Sequence, residues 1–560
     1  MKKKLLLIIM TLAFAMCGCL LFAGCGDEDN ADTAETSEET TVEAPTGTYV
    51  GINNDGVAEF KGIRYGTLNP YQRAGDVTTT TEDVIEAKDW GFNCLQPKDE
   101  VEVASQDPCS QDCLFLNIWT KDPETKDKPV IFWIHGGGYA YGGTSDPMYD
   151  GEIFVRNLPD GEDCVFVSIN YRLTFMGSAD LSVLDGYTED YKESRCLNKL
   201  DQLQALKWVN ENIEAWGGDK DNVTVMGQSS GSAAVHLLMA DNEANKYFRR
   251  AIAQSGIPQG VMITEEECKA NSRQIFEILG VKSVDELVSL SDEDIMAKID
   301  EIYENVYVNG IVADGITISK TWWDDLMEGA GKDIDLMSGH TDGEQDITAV
   351  DWENIPEAVK DYKGFYKQAV SHNEENRGVY AMLYSDDIES VIDKYLALDD
   401  DKVKGMLNYM TSNYITQLIC SKHSEYNDNT YEYEWQYAPK NTDVIAYSGE
   451  AAEFSPWSRA LHCMDTCFTF GTLEDGYTEL TGDPNGHPEN LVRDWQASIY
   501  SFAKTGNPNN EYVDTWEPFG GDEHNEMVIG SDGSLSNAPD FKAAEFEIMK
   551  EVKLNGVKNQ

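Results

Sequence analysis

Basic residues are scarce in this chain: 43 Lys and Arg stand against 100 Asp and Glu, a formal net charge of −57 over 560 residues. A surface this negative repels phosphate backbones and anionic lipid headgroups, which excludes nucleic-acid binding and general adhesion to such membranes. The acidity itself reads as the solvated surface of a halophilic or otherwise acid-rich protein, not as a binding function. Cysteine is also sparse, twelve in the whole chain, too few for a disulfide scaffold at a length that needs none. Cys463 and Cys467 lie near His462, but no second ligand pair stands at finger-like spacing, so no metal is expected. Internal repeats are absent. With 41% hydrophobic and 10% aromatic residues, the chain has ample material for a large packed core and is not a disordered protein.

The N-terminus reads as an address. Lys2, Lys3 and Lys4 precede an apolar run from Leu5 to Ala23 broken only by Thr11, a charged n-region followed by an h-region at the long end for a signal peptide. The run is nearly long enough to span a bilayer, and an uncleaved anchor would orient the chain the same way, lysines inside and the rest outside. It ends Ala23-Gly24-Cys25, which resembles the lipobox of bacterial lipoproteins, where the cysteine is diacylated and becomes the first residue. That resemblance implies a signal peptide over 1–24, a lipid on Cys25 and a place outside the cytoplasmic membrane. Eight acids and no base lie between Gly26 and Pro45, so 25–46 is expected to be a disordered acidic tether. With Cys17, Cys19 and Cys25 set aside, nine cysteines remain, an odd number that leaves at least one thiol without a partner in the chain.

The body, 47–560, reads as one α/β domain. Short β-rich runs at 47–52, 57–61, 114–119, 129–134, 164–169, 222–227 and 249–254 alternate with helical patterns. The clearest helix is Leu200–Trp216, where Leu203, Leu206, Val209, Ile213 and Trp216 mark one apolar face. Val130-Ile131-Phe132-Trp133-Ile134 is apolar throughout, the mark of a strand buried on both faces of a central, mainly parallel, twisted sheet flanked by helices. The stretches 263–330 and 345–425 are acidic and helix-like and read as insertions around a site. A late strand, Tyr431–Tyr437, and a helix, Leu491–Lys504, return the chain to the sheet.

Two glycine motifs carry the chemistry. Gly227-Gln228-Ser229-Ser230-Gly231 follows the strand Val223–Met226 and opens a helical run, Ser232 to Ala240, the strand–turn–helix setting of a nucleophile elbow. His135-Gly136-Gly137-Gly138-Tyr139 follows the strand ending at Ile134. With eight histidines in the chain, chance supplies on the order of 0.004 of such a His-Gly-Gly-Gly. Three glycines let main-chain N–H groups converge on one point, as an oxyanion hole requires. No Gly-Lys-Ser/Thr follows, so the triplet is not a phosphate loop.

These motifs sit among others: Phe60-Lys61-Gly62-Ile63-Arg64-Tyr65, Asp112–Trp119, Asn170-Tyr171-Arg172, Asp201-Gln202, Trp208–Ile213, Gly217-Gly218-Asp219, Gln254-Ser255-Gly256 and Phe502–Pro508. Together they resemble the type-B carboxylesterases, the cholinesterase-like branch of the α/β-hydrolases, over nearly all of 47–560. The resemblance implies a serine ester hydrolase acting on a small-molecule ester through an acyl-enzyme, without a cofactor. Its nucleophile is Ser229. Its acid is Glu344, from Gly339-His340-Thr341-Asp342-Gly343-Glu344. Its histidine is His462, in a segment where Asp465 replaces the usual Glu. The resemblance also places the oxyanion donors at Gly137, Gly138 and Ser230, a supporting serine at Ser255, and a disulfide between Cys94 and Cys113.

Several departures matter. Gln228 stands where the family has Glu, and Ser230 where Ala is common. Only 18 residues lie between Cys94 and Cys113 and none of them is Trp, so the aromatic cation platform of cholinesterases is missing. Asp342 and Glu344 are both candidate acids by composition. The family spacing selects Glu344 and leaves Asp342 as a solvated turn residue. Tyr139, Tyr141, Trp322 and Trp323 are expected as aromatic lining. Feruloyl, acetyl and other plant-derived esters, or acylglycerols, are alternative substrates, and a non-catalytic cholinesterase-like binding protein is the alternative from another class. Oligomeric state is not legible.

Overall fold

A strand that is apolar on both faces must be covered on both sides, and Lys128–Ile134, buried at every residue, lies at the centre of such a sheet. The structure, a computed structural model, describes residues 38–98, 107–308, 310–344, 394, 413–438, 460, 462–472, 487–513, 515–520 and 524–550. The twelve strands used here are β1 Glu38–Ala44, β2 Gly47–Asn54, β3 Val57–Arg64, β4 Phe115–Thr120, β5 Lys128–Ile134, β6 Val165–Ile169, β7 Gly218–Gln228, β8 Arg250–Gln254, β9 Asp335–Thr341, β10 Thr430–Trp435, β11 Glu526–Ile529 and β12 Leu535–Ala538. They lie in one sheet in the order β1-β2-β3-β4-β6-β5-β7-β8-β9-β10-β11-β12. From β6 to β11 every pairing is parallel; the strands outside this block pair antiparallel. This is the α/β-hydrolase architecture expected from the sequence.

Two apolar layers cover the two faces. One takes Leu203, Leu206, Val209 and Leu237 with Val130 and Phe132; the other takes Trp495, Ile499 and Phe502 with Ile131 and Trp133. Alternate residues of β5 thus feed opposite cores, as a period of two demands. The helix α1, Leu197–Asn212, is less one-sided than its apolar spacing implies. Asn198, Lys199, Asp201 and Gln202 are buried with its leucines. Three of these polar groups are matched: Asp201 takes a bidentate pair from Arg172 at 2.7 and 2.6 Å, Lys199 pairs with Asp241, and Asn198 Oδ1 accepts from Lys199 N. Truncating one partner of the Arg172–Asp201 pair would strand a buried charge, at about 3–5 kcal/mol.

The domain begins earlier than the tether boundary at residue 46. Glu38–Ala44 pairs antiparallel with β2, from Glu38 opposite Asn53 to Ala44 opposite Gly47. Val42 and Ala44 turn inward while the acids between them stay in solvent, so an alternating strand lies inside a composition that reads as acidic linker. The expected signal peptide, 1–24, Cys25 and the tether as far as residue 37 lie outside the described residues, as do 345–393 and 395–412 of the expected insertions. The insertion that is described, 263–330, is helical. Three of its helices, Glu265–Leu279, Val284–Val288 and Asp292–Asn305, each open on a capping box, Thr264 with Glu267, Ser283 with Glu286, and Ser291 with Asp294. Much of the acidity there is first-turn carboxylate facing a helix N-terminus, where the macrodipole favours it.

Candidate active site

Parallel strands present their carboxyl ends on one edge, and there the sequence motifs meet. Gly227 is paired with Ile134, Gln228 with Gln254, Gln254 with Gly339 and Gly339 with Tyr433. The loops leaving β5, β7, β8 and β9 therefore start side by side, and they carry His135–Tyr139, Ser229, Ser255 and Glu344.

Ser229 sits between β7 and the helix α2, Ser230–Met239, at φ 58° and ψ −123°, a conformation that costs a side-chain-bearing residue on the order of 1–3 kcal/mol. The glycines around it are required by contact. A Cβ at Gly227 would lie 2.5 Å from the Gly231 carbonyl carbon, and one at Gly231 would lie 2.1 Å from Ile134 O. Gly256 completes the set, since a Cβ there would meet Ser229 O at 1.9 Å. The turn holds its serine nearly buried, at 7% exposure.

His462 Nε2 lies 2.9 Å from Ser229 Oγ, and its Nδ1 makes a short hydrogen bond with Glu344 Oε2. The other Glu344 oxygen accepts from Thr341 N at 2.8 Å. Burial pushes the Glu344 carboxyl up, but the His462 charge and hydrogen bond, Ser255 and Thr341 N together hold it below the ordinary carboxylate range. Ser255 faces this carboxylate and helps to lower it, although its hydroxyl does not reach strict hydrogen-bond geometry. Asp342 is not the solvated residue expected. It is half-buried, its Oδ1 accepts from Ala460 N at 2.9 Å, and Gly343 N donates to Ala460 O. It ties the acid loop to the segment that carries the histidine.

The glycine triplet folds back on itself: Ala140 N and Tyr141 N both donate to Gly137 O. Gly137 and Gly138 have φ of 96° and 63°, and a Cβ at Gly137 would meet Tyr141 O at 2.2 Å. No acceptor among the described residues takes the N–H groups of Gly137, Gly138 or Ser230. The loop is braced from outside by Tyr303, whose hydroxyl donates to Ala140 O at 2.6 Å, and by Thr174 N on Tyr139 O. Burial drives His135 down to about 4, so it is neutral, stacked 4.5 Å from Tyr171, whose hydroxyl donates to His135 O.

Gln228 donates to Cys463 Sγ at 3.0 Å and lies 3.4 Å from His462 Nε2, a neutral neighbour for the imidazole. Sequence reasoning overlooked Tyr433. Its hydroxyl donates to Asp465 Oδ2 at 2.9 Å, and its ring fills the space a Gly339 side chain would need. Burial and the Glu344 charge push Asp465 up to about 6. No local pattern links Tyr433 to a residue 32 positions on; the contact forms only where Asp465, at the start of the helix Thr466–Phe470, packs against β10.

Three expectations are corrected. Cys94 and Cys113 are not bridged: both are buried free thiols, with Cys113 hydrogen-bonded to Cys94 and Cys94 Sγ also accepting from Leu173 N. Trp322 and Trp323 pack on one another at 5.7 Å in the apolar core, and Tyr139 is buried as well. Of the four aromatics expected as lining, Tyr141 alone is partly exposed, packed edge-to-face on Tyr303 at 5.1 Å. A cavity of about 790 Å³ bounded by Lys199, Asp241, Asp314 and Trp322 contains none of the residues named above as nucleophile, base or acid; chemistry, not volume, locates the site.

The description "Carboxylesterase family" matches residues 38–547 of the chain. Over 509 residues the chain is 28% identical to the para-nitrobenzyl esterase of Bacillus subtilis (strain 168), covering 88% of this chain and 95% of that protein. It is also 28% identical over 452 residues to the liver carboxylesterase of Sus scrofa, covering 75% and 74% of the two chains. Among solved structures it superposes on the carboxylesterase EST55 of Geobacillus stearothermophilus with a TM-score of 0.74 at 26% identity, covering 91% of this chain and 99% of that one.

Proposed function

The chain belongs to the carboxylesterase family and is a carboxylic ester hydrolase, and we propose that it works as a serine esterase through an acyl-enzyme on Ser229. The observation that carries this reading is the hydrogen-bonded line Ser229–His462–Glu344 beside three untaken main-chain N–H groups. Ser229 Oγ attacks the ester carbonyl as His462 Nε2 takes its proton. Glu344 holds Nδ1–H, which selects the tautomer and stabilises the imidazolium. The oxyanion gathers on the N–H groups of Gly137, Gly138 and Ser230, His462 returns its proton to the leaving alcohol, and water releases the acid by the same route. Ser255 supports Glu344 from behind.

The strained serine and its partners argue against a non-catalytic binding role, since each costs stability that packing alone does not require. A series of p-nitrophenyl esters of increasing acyl length, run beside feruloyl and acetyl esters and acylglycerols, assigns the substrate. Turnover of short esters with labelling of Ser229 by a fluorophosphonate is the expected result; no turnover of any ester, with no labelling, would contradict it.

We place the enzyme outside the cytoplasmic membrane, tethered by a lipid on Cys25. The support is sequence alone: the lysines, the apolar run ending at Ala23-Gly24-Cys25, and the acids that follow. Cys25→Ala is expected to leave an unprocessed precursor. An unmodified Cys25 in the membrane-bound protein would favour an uncleaved helix instead.

A further inference from the structure

Behind the catalytic edge, the far face of β10 and β11 buries carboxylates that the esterase reaction does not use. The strand Thr430-Tyr431-Glu432-Tyr433-Glu434-Trp435 is buried at every position. Tyr431, Tyr433 and Trp435 enter one core, which turns Glu432 and Glu434 to the opposite face. The parallel register that pairs Tyr433 with Met527 sets Glu432 beside Glu526, one residue back on both strands. Neighbouring positions in a parallel pair point to the same side, so the two carboxyl groups share one dry space. Glu432 is 0% exposed and Glu526 1%.

The groups facing this pair come from four elements. His340, on β9, lies 3.2 Å from Glu434. On β10, Glu434 also accepts from Gln436 and Asn413 and is ion-paired with Lys542. Gln417 and Cys420 come from the helix Tyr414–Ser424, and Lys542 with the buried Glu545 comes from the C-terminal segment. The one ammonium among these is engaged by Glu434. Among the described residues, no group hydrogen-bonds to either Glu432 oxygen or to Glu526 Oε2; Glu526 Oε1 accepts from Gln417 at 2.6 Å. Two adjacent buried carboxylates without a cation of their own cannot both ionise. Burial and the neighbouring acids push both upward, while Lys542 and His340 overcome the burial cost of Glu434 and hold it low.

The same residues fasten the C-terminal segment. Gln417 Nε2 also donates to Phe541 O at 3.1 Å, Lys542 pairs with Glu434, and Phe546 of the helix Ala543–Met549 packs on Tyr414 at 5.6 Å. We propose that Glu432 and Glu526 form a protonated carboxyl pair that latches residues 541–549 onto the sheet, and that proton loss to alkaline solvent releases this segment while the sheet stays folded. Each ionised carboxylate then needs water, and lifting the segment that Gln417 and Lys542 fasten beside the pair admits it.

Hydrogen exchange on the full chain, read as protection factors so that base catalysis of exchange divides out, tests this. With one proton lost per opening, the open population rises by up to about tenfold per pH unit as pH climbs from the carboxyl value of the open segment towards the raised value of the closed pair, and levels off above it. Protection of 541–549 should therefore fall by at least about tenfold between about pH 7 and about pH 9.5, while that of 197–212 holds. The Glu432→Gln/Glu526→Gln variant should lose this pH dependence. Unchanged protection of 541–549 in the native chain, or the same loss in the variant, would overturn the proposal. Infrared difference spectra of the native chain serve if the variant does not fold: a protonated carboxyl stretch at neutral pH that vanishes in the alkaline range supports the latch, and its absence overturns it.

Discussion

The two faces of strands β9 and β10 bury acids equally deeply and treat them oppositely. On the catalytic side, Glu344 meets an imidazole, a backbone N–H and a serine, and its carboxyl ends below the ordinary range. Asp465, its neighbour, has one tyrosine hydroxyl and is pushed up to about 6. On the far side, Glu434 gathers a lysine, an imidazole and two amides and ends low, whereas Glu432, which no described residue hydrogen-bonds, ends well above the ordinary value. Burial raises all four; the supply of donors decides the outcome. One carboxylate on the catalytic face is thereby kept charged to serve a histidine, while across the sheet a similar residue is kept neutral.

The sharpest break in the comparison comes from the catalytic side. Ser229→Ala should remove about 10⁶ of kcat, the scale seen when a triad nucleophile is deleted, with the fold intact because the alanine methyl fits where Cβ already stands. Steady-state hydrolysis of a p-nitrophenyl ester measures it. Next is the choice of acid. Glu344→Gln should lower kcat by up to about 10⁴ with little change in KM, and the acid limb of the pH profile should move down, since the lost carboxylate no longer favours charged imidazole. Asp342→Asn keeps an oxygen for Ala460 N and should retain most activity; the reverse outcome would reassign the acid.

Gly137→Ala should cost about 10²–10³ in kcat, the range for loss of one oxyanion donor, because the positive φ and the contact with Tyr141 O forbid the native loop. The smallest effect concerns Asp465. Asp465→Asn removes a charge that titrates near the working range, so the acid limb should shift by under about one pH unit with KM unchanged. A profile that does not move would show that Asp465 acts only in packing. On the far side the sign reverses. A carboxyl whose folded value lies above its unfolded one, such as Glu526 at about 8, makes folding weaken as pH rises from the unfolded value towards the folded one. Denaturant midpoints between pH 5 and 8 should fall in the native chain and fall less in Glu526→Gln.

What the sequence revealed, and what it hid, follows the same division. Strand β5 was legible because a wholly apolar run has few other uses, and β7 and β8 were legible to within a few residues from their short β-rich runs. The elbow and the glycine triplet were legible because sterics permit so few residues there. Strand β9, with Ser338, Gly339 and His340 in its second half, has no apolar signature, whereas the aromatic-rich stretch of β10 was legible as a strand from 431 on. β1 hid inside an acidic stretch, where two inward residues, Val42 and Ala44, were enough to make a strand. The nearness of Glu432 to Glu526 depends on inter-strand register, and the bond of Tyr433 to Asp465 on how a helix start packs against β10; no local pattern encodes either. The thiols Cys94 and Cys113 lie together as the family resemblance implies, yet unbridged.

The central claim is that Ser229 carries the acyl group. Rapid quenching of the enzyme with p-nitrophenyl acetate in acid, followed by peptide mass spectrometry, tests it most directly. An acetyl group on the peptide containing Ser229, formed at the rate of the p-nitrophenol burst and absent in Ser229→Ala, is the predicted result. A burst with the acetyl group on another residue, or turnover that persists in Ser229→Ala, would contradict it.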